Sequence, residues 1–560
     1  SPAPVAVAPS AAALPVAPSP AASPRARVAV VGAGASGLTL ARALERRGYA
    51  VTVFERDPQV GGMCQTRTFE GVTCDLGGHM IFPAAYPTIV GLAREHGQPL
   101  VPDFPDVTID LGGRILPKVE TPALRAARQR VAEILRRTGA ASPGLPTDPS
   151  LAVPVAEWID REGLAAIWGW MGPIFVAAGY GHLEDQIPAV YLAKSFAHTQ
   201  DQAGRYQLAH GFGALWERVA AGLHDVRVGT EVVSATRDDA GVTLTSRSPE
   251  GLRTERFDRL VIAHTPAAAL GWLDSTAEER RLFGRVRHLP YASAYAVVED
   301  LPEALRGRWC FLLENTQRAV RRGHVASFVQ PDPSRPVVAI VAYGAPEGVD
   351  PAARFAEDFA RLGGRLVRML HHQQWRYFPH FSADDVAQGA LARAEELQGQ
   401  RRTWHASTLF SFELTECAAA YAETVAARLD AELRGVTAGP VDGDARAFAA
   451  FREAVRAETE RVVGYLQRVA AEELDRPVRD PDASLAELGL DSLRAVSLHQ
   501  RIRQDAGLDL PVNLLGEARS LRAVAEAVVR QAVAPAAPEA PPDDDDVTRS
   551  LLDELNELGG

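Results

Sequence analysis

Arg27-Val28-Ala29-Val30-Val31-Gly32-Ala33-Gly34-Ala35-Ser36-Gly37 decides the fold of the larger part of this chain. The first five residues read as a short apolar strand, and Leu38 to Arg47 reads as a helix that ends at Gly48. A second apolar strand, Ala50 to Phe54, follows at once. Strand, glycine loop, helix and strand in that order predict the opening of a Rossmann unit in an α/β domain. Gly32 permits a tight turn, Gly34 lets the backbone approach a pyrophosphate, and Gly37 allows the helix to pack closely on the strand. The helix N-terminus, with Ser36 in its first turn, offers N–H groups and partial positive charge to phosphates. Glu55, followed by Arg56, stands at the end of the second strand, near the spacing of a carboxylate that binds ribose hydroxyls. A bound dinucleotide is the expectation.

Further along, helical patterns cover Pro122 to Thr138, Val155 to Phe175 and Tyr191 to His198, and predict a helical cap over the cofactor sheet. Strand-like composition returns at Val226 to Val233, Val242 to Thr245, Arg259 to Ala263, Tyr291 to Val298 and Val337 to Ala342. A helix from Cys417 to Leu429 closes this part before the Gly-containing stretch Gly435 to Asp444. From about Ala457 the pattern changes to short amphipathic helices, with Val462, Leu466, Val469 and Leu474 on one stripe. Helices carrying Leu493, Val496 and Ile502, and then Leu521, Val524, Ala527 and Val528, follow. The expected fold is therefore an α/β Rossmann-type cofactor domain with a mixed-sheet and helical substrate domain, then a small all-α four-helix domain. The expected bounds are 1–25 for a Pro/Ala-rich linker, 26–432 for the redox domain, 433–456 for a linker, 457–533 for the helical domain, and 534–560 for an acidic linker and short Leu-rich helix.

With 560 residues, 46% hydrophobic and 23% charged, the chain suits two folded domains and linkers. A net charge of -12 offers no extended basic surface, so neither nucleic acid nor anionic lipid is an expected partner. Cys64, Cys74, Cys310 and Cys417 are too scattered for a zinc site or a disulfide framework, and read as reduced core thiols of a cytosolic protein without a bound metal. The first 24 residues lack a basic start, and Pro2, Pro4, Pro9, Pro15, Pro18 and Pro20 interrupt their apolar character, which makes them linker rather than signal. Because the chain opens on Ser1, excision from a larger polypeptide is the expectation, with tag removal as the alternative.

Gly61-Gly62 and Asp75-Leu76-Gly77-Gly78-His79 resemble the glycine segments of FAD enzymes in the amine oxidase superfamily. The resemblance implies that they run beside the pyrophosphate and flavin, although Gly61 and Gly62 alone are also consistent with a turn. Glu231-Val232-Val233 resembles the strand whose backbone meets the adenine, with Val233 as the implied contact. Trp404-His405-Ala406-Ser407 resembles the closing flavin motif, except that Ser407 stands where the family usually has glycine. No second glycine-rich loop follows, so no NAD(P)H domain is expected. Gly179-Tyr180-Gly181-His182-Leu183, Ile187 to Lys194, Trp375 to His380 and Gln398 to Arg402 are similar to segments of flavin-dependent polyenoic fatty acid isomerases, a resemblance that runs through most of residues 26 to 432. It implies hydride chemistry at carbon in a dry tunnel, with Met80, Phe82, Phe175 and Tyr180 as lining candidates. Those relatives clamp a free carboxylate with an arginine; the similar stretch here, Asp103 to Val107, has none, which suits a thioester. His79, His182 and His405 read as titrating groups or hydrogen-bonded structural ones, and Lys194 as an anchor or a solvated side chain. Tyr180 and Tyr191 read as packing residues, and no general base is assigned.

Leu488-Gly489-Leu490-Asp491-Ser492-Leu493, preceded by Asp482 to Leu488, resembles the arm-attachment site of acyl or peptidyl carrier proteins. The resemblance implies a 4'-phosphopantetheine on Ser492, placed by a phosphopantetheinyl transferase; the plainer alternative is a helix cap. A carrier in cis raises the effective concentration of its thioester at the flavin, if linker and arm span the sites. Asp543 to Asp546 and the helix with Leu551, Leu552, Leu555 and Leu558 are either a docking element for a following enzyme or solvated linker. Together these segments lead to an FAD-dependent domain of a polyketide or nonribosomal peptide assembly line that isomerises or introduces a C=C bond in a tethered acyl chain. Oxidation of an aminoacyl thioester and an inactive flavoprotein scaffold are the alternatives.

Overall fold

The structure is a computed structural model that describes residues 26–199, 204–344 and 348–436, and of the C-terminal part 459–472, 474, 476–483, 485, 487–488, 520–525 and 528. The chain divides into two compact units, Ser1–Ala445 and Arg446–Gly560. Ser492, the acidic run and the two terminal linkers lie outside the described residues, as does the rest of the helix after Asp491.

In the first unit, a five-stranded parallel sheet has the order Thr403–His405, Arg259–Ile262, Arg27–Val31, Ala50–Phe54, Val226–Arg227. Its central strands are apolar because both faces are covered, which is why Val28 to Val31 show no alternation. Helix Ala35–Arg46 packs on this sheet and against the long helix Thr415–Leu433, with Leu38, Leu40, Ala41 and Leu44 buried. The expected strand from Val226 to Val233 is divided. Gly229 turns the chain with a φ of +59°, so Val226–Arg227 joins the parallel sheet and Glu231–Asp238 begins an antiparallel sheet with Gly241–Ser248 and Gly251–Phe257.

A seven-stranded sheet carries the other half of the unit, in the order Arg365–His380, Arg287–Glu299, Val337–Tyr343, Val325–Val329, Trp309–Leu312, Asp106–Ile109, Ile115–Leu116. Strand alternation sorts its two faces. Ala292, Ala294, Ala296, Val338 and Ile340 pack with Phe355 and Phe359 of the helix Ala352–Arg361, while Tyr295, Ala339, Trp309 and Phe311 face the opposite side. The helical cap differs from expectation in its seat. Gly163, at a φ of +68°, separates Val155–Glu162 from Ala165–Ala177, and the latter packs on strands Trp309–Leu312, Val325–Val329 and Val337–Tyr343 rather than on the cofactor sheet. Ala165–Ala177 is apolar all round, so it suits burial between the sheet and helix Pro122–Thr138.

All four cysteines are free and buried, and burial pushes each thiol up to about 12. Among the described residues, no helix is long and apolar enough to cross a membrane. In the second unit, a helix over 459–472 buries Val463, Leu466, Val469 and Ala470 against Leu485, Leu488, Leu521, Val524 and Val528. Leu466 and Val469 of the expected stripe lie in this core, with Val462 and Leu474 partly buried at its edge.

Three elements are tied by one buried cation. Arg237, 5% exposed, donates to both carboxyl oxygens of Glu279 at 2.7 and 2.9 Å, to Asp274 Oδ1 at 2.6 Å and to Thr403 Oγ1 at 3.1 Å. Burial alone would raise the Glu279 carboxyl, but Arg237 and the Thr276 N–H hold it down at about 2. Arg237→Ala leaves Glu279 buried without its partner, and the expected loss is about 3–5 kcal/mol, read as a lower urea midpoint for the full chain. Since the folded pKa lies below the unfolded value of about 4.3, this stabilisation is present above that pH and fades as pH falls towards about 2.

Candidate functional site

A cavity of about 1100 Å³ runs from the glycine loop to the seven-stranded sheet. At one end its wall is Gly32, Gly34, Ala35 and Ser36, with Glu55, Arg56 and Asp57 beside them. The loop is fixed by backbone contacts: Gly32 N–H donates to Phe54 carbonyl at 2.8 Å, and Gly61 N–H to Ala33 carbonyl at 2.8 Å. Gly37 does not reach the wall. It lies beneath the loop, where a Cβ would fall 1.9 Å from Gly32 carbonyl oxygen and 3.2 Å from Ala263 Cβ. Glu55 is buried and accepts from the Ala33 and Asp57 N–H groups at 2.8 and 2.9 Å, so its carboxylate both faces the cavity and holds the loop.

Gly61, Gly62, Gly77, Gly78 and His79 form the next part of the wall. Gly61 pairs with Gly34 in an isolated parallel bridge, and Gly78 approaches so closely that its Cβ would lie 3.1 Å from Thr415 Cγ2. The start of helix Thr415–Leu433 and the Gly77-Gly78 segment therefore touch. His79 is stacked on Trp309 with ring centroids 4.4 Å apart. Ser407 lines the cavity with φ −87° and ψ 158°, an extended conformation open to any residue, and its hydroxyl accepts from Leu409 N–H at 3.1 Å. Serine in place of the family's glycine thus leaves the backbone unstrained and adds a cap.

The expected adenine contact needs correction. Thr230, Glu231 and Val232 line the cavity, whereas Val233 falls at a register shift between Val232 and Ser234 and is not on the wall. Met80 and Tyr180 line the cavity as expected, but Phe82 and Phe175 stand behind it. Phe82 packs on Tyr86 at 6.0 Å and Phe175 on Tyr180 at 5.2 Å, so each supports a tyrosine that does form the wall. Beyond Tyr180 lie Tyr377, at 6.0 Å, and Tyr291, a further 4.8 Å from Tyr377, in near-parallel planes.

Sequence reasoning missed Glu413. It lines the cavity beside Thr408, open to the cavity yet enclosed by protein, and burial pushes its carboxyl up to about 7 against the lowering effect of the Thr408 hydroxyl, which donates to Oε2. Its carbonyl accepts from Tyr180 and Tyr377 hydroxyls at 2.7 and 3.5 Å. Phe412, just before it, has a φ of +104°, a conformation that costs roughly 1–3 kcal/mol for a side-chain-bearing residue and is held by contact with Tyr180 and Phe378. A lone carboxylate between aromatic residues has no motif, so only the folded turn shows it.

The other candidates are structural. Lys194 is fully buried and donates to the carbonyls of Ser142, Pro143 and Gly144, the anchor alternative. His405 is buried in strand Thr403–His405, and burial pushes it down to about 3; its N–H and carbonyl are bound by Gln398. His182 is a buried cap residue. An arginine does stand near the Asp103 stretch, arriving from the paired strand's approach. Arg205 lies 2.5 Å from Asp103 and 3.7 Å from Asp106, so its charge is already matched.

Residues 35–305 match the model of the flavin containing amine oxidoreductase family, and residues 464–528, which include Ser492, match the phosphopantetheine attachment site. The chain joins a flavin containing amine oxidoreductase domain to a phosphopantetheine carrier domain. FAD and 4'-phosphopantetheine are the cofactors these two families imply. A protein named as the flavin-containing monoamine oxidase AofH of Mycobacterium tuberculosis is 44% identical over 79 residues, 14% of this chain; the chain spans only 17% of that relative. In fold, the chain is similar to the CLA-producing fatty acid isomerase from P. acnes, at a TM-score of 0.66 and 24% identity, over 73% of this chain and 99% of that one. It is also similar to cyclohexylamine oxidase from Brevibacterium oxydans, at a TM-score of 0.55 and 18% identity, over 73% and 100%.

The wall fits such a cofactor, since the loop leaves open backbone around Gly34 and a carboxylate at Glu55. Gly37→Ala drives a methyl group into the loop carbonyl, and the purified variant is expected to lose most of its FAD, read as the ratio of flavin to protein absorbance.

Proposed function

We propose that this chain is an FAD-dependent hydride-transfer enzyme of a polyketide or nonribosomal peptide assembly line, which isomerises or introduces a carbon–carbon double bond in an acyl chain carried as a thioester on Ser492. The observation that carries the reading is the wall beyond the glycine segments, where Tyr86, Ile174, Tyr180, Phe311 and Val341 give an aromatic and aliphatic chamber. Such a surface favours an alkyl chain and keeps water from reactive carbon centres. No lysine lines the cavity among the described residues, and Arg205, which stands near the Asp103 stretch, is already paired with acids, which suits a neutral thioester. The fold likeness to a fatty acid isomerase supports the same substrate class.

FAD, when bound, supplies a hydride acceptor and donor. Gly32, Gly34 and Ser36 with the N-terminus of helix Ala35–Arg46 would hold its diphosphate, Gly37 keeping that helix close beneath the loop. Glu55, flanked by Arg56, would bind the ribose, and Thr230 to Val232 would face the adenine. Gly61, Gly62, Gly77, Gly78, His79 and Ser407 would border the flavin ring, while Tyr180 and Tyr377 orient the chain beside it. Ser492 would bring the substrate in cis, after loading by a phosphopantetheinyl transferase and acylation by upstream synthase domains, in a cytoplasmic setting.

A second reading, oxidation of an aminoacyl thioester, is favoured by Glu413, whose carboxylate among aromatic rings suits an ammonium group. Intact-protein mass spectrometry with flavin absorbance, after loading an acyl-phosphopantetheine on Ser492 under anaerobic conditions, decides among these. A loss of two hydrogens with a bleached flavin is the result for dehydrogenation, and unchanged mass with a moved double bond is the result for isomerisation. Bleaching only with aminoacyl chains, with ammonia released, overturns the acyl reading. No bleaching and no product with any chain overturns the enzyme and leaves a scaffold.

A further inference from the structure

Glu413 has no part in cofactor binding as described, yet it occupies the chemically sensitive end of the cavity. The other carboxylates on the wall, Glu55, Asp57 and Glu231, belong to the nucleotide end, whereas Glu413 shares its stretch of wall with Thr408, Leu414, Thr415, Tyr180 and Tyr377. Its Oε2 is taken by the Thr408 hydroxyl, and Oε1 has no hydrogen-bond partner among the described residues. Backbone geometry fixes the residue. Leu414 N–H donates to Phe412 carbonyl at 2.9 Å, a three-residue turn centred on Glu413, and the Phe412 ring is held 4.6 Å from Tyr180.

We propose that Glu413 is the catalytic base of the carbon chemistry, taking the proton that leaves the acyl chain when its double bond is introduced. The proposal rests on the acyl-carrier reading above and resolves it towards net dehydrogenation. A C–H bond beside the thioester carbonyl breaks, its proton going to the Glu413 carboxylate as an O–H bond forms. The neighbouring carbon loses its hydrogen with both electrons to the two-electron oxidant, the FAD the family implies, and the C=C bond forms between the two carbons. The chain is oxidised by two electrons and the oxidant reduced by two.

Other wall groups are poorly placed for this role. His79 is stacked on Trp309 with Nδ1 3.3 Å from Gly77 carbonyl, and burial, with Arg376 beside it, pushes His288 down to about 4, a weaker base than Glu413. Tyr180 and Tyr377 point their hydroxyls at Glu413 carbonyl, and burial holds both phenols well above the usual range. Burial also leaves Glu413 near neutrality, at about 7, where a carboxylate takes and returns a proton with little penalty.

Holoprotein carrying a saturated acyl chain on Ser492 is incubated anaerobically in D2O, and the released chain is weighed. The wild type is expected to take up solvent deuterium beside the thioester and to lose two hydrogens as the flavin bleaches. Glu413→Gln is expected to slow both about 100- to 10,000-fold with FAD content unchanged, and Glu413→Asp to restore part of the rate. Wild-type rates of exchange and desaturation in Glu413→Gln overturn the proposal while the acyl reading stands. So does a wild type that, given an unsaturated chain, moves the double bond without solvent deuterium. A wild type that transforms no acyl chain overturns both.

Discussion

Close backbone approach around the glycine loop is the constraint on which the rest of the molecule depends. Gly37 passes beneath Gly32 with no room for a side chain, Gly32 is bonded to the end of the second strand, and Gly61 is bonded to Ala33. These contacts bring three remote stretches to one wall. They also place the start of helix Ala35–Arg46 at the cavity, where its free N–H groups and dipole lie at the nucleotide end. Everything farther along the cavity is registered from that end, including the contact between Gly78 and Thr415 that joins the loop side to the closing helix.

Two different kinds of interaction then divide the labour. At Glu55 on the nucleotide end, and in the Arg237, Asp274 and Glu279 cluster away from the cavity wall, buried charge is matched by charge or N–H groups. Around the far end the contacts are mainly ring on ring, from Tyr291 through Tyr377 to Tyr180 and Phe412. Charge matching fixes the frame, and the rings shape a space that is apolar but not featureless, because Glu413 interrupts it.

The parts legible in the sequence are those set by local rules. The strand, glycine loop and helix, the bounds of Pro122–Thr138, and the core positions of the helix over 459–472 follow from turn chemistry and periodicity. What escaped was set by tertiary contact. Arg365–His380, a strand of 16 residues, carries many polar side chains because one part of it lines the cavity mouth through Gln373, Gln374 and Arg376. Val233 was misplaced by one residue through a bulge that has no turn residue to announce it. Phe82 and Phe175 have the right chemistry for a tunnel but the wrong depth, a distinction that hydrophobicity cannot make. Arg205 was overlooked since it enters from the strand opposite Asp103, and Glu413 because an isolated acid in an aromatic stretch reads as surface.

Cys64 opens on the same cavity, and its burial, with Asp75 and Glu413 nearby, holds the sulfur as a thiol, pushed up to about 12. An enoyl thioester is an electrophile, and a thiolate beside one would add across the conjugated bond and tether that molecule to the protein. Because the nucleophilic form of cysteine is the thiolate, the low polarity of the chamber also spares Cys64 from alkylation by such an electrophile.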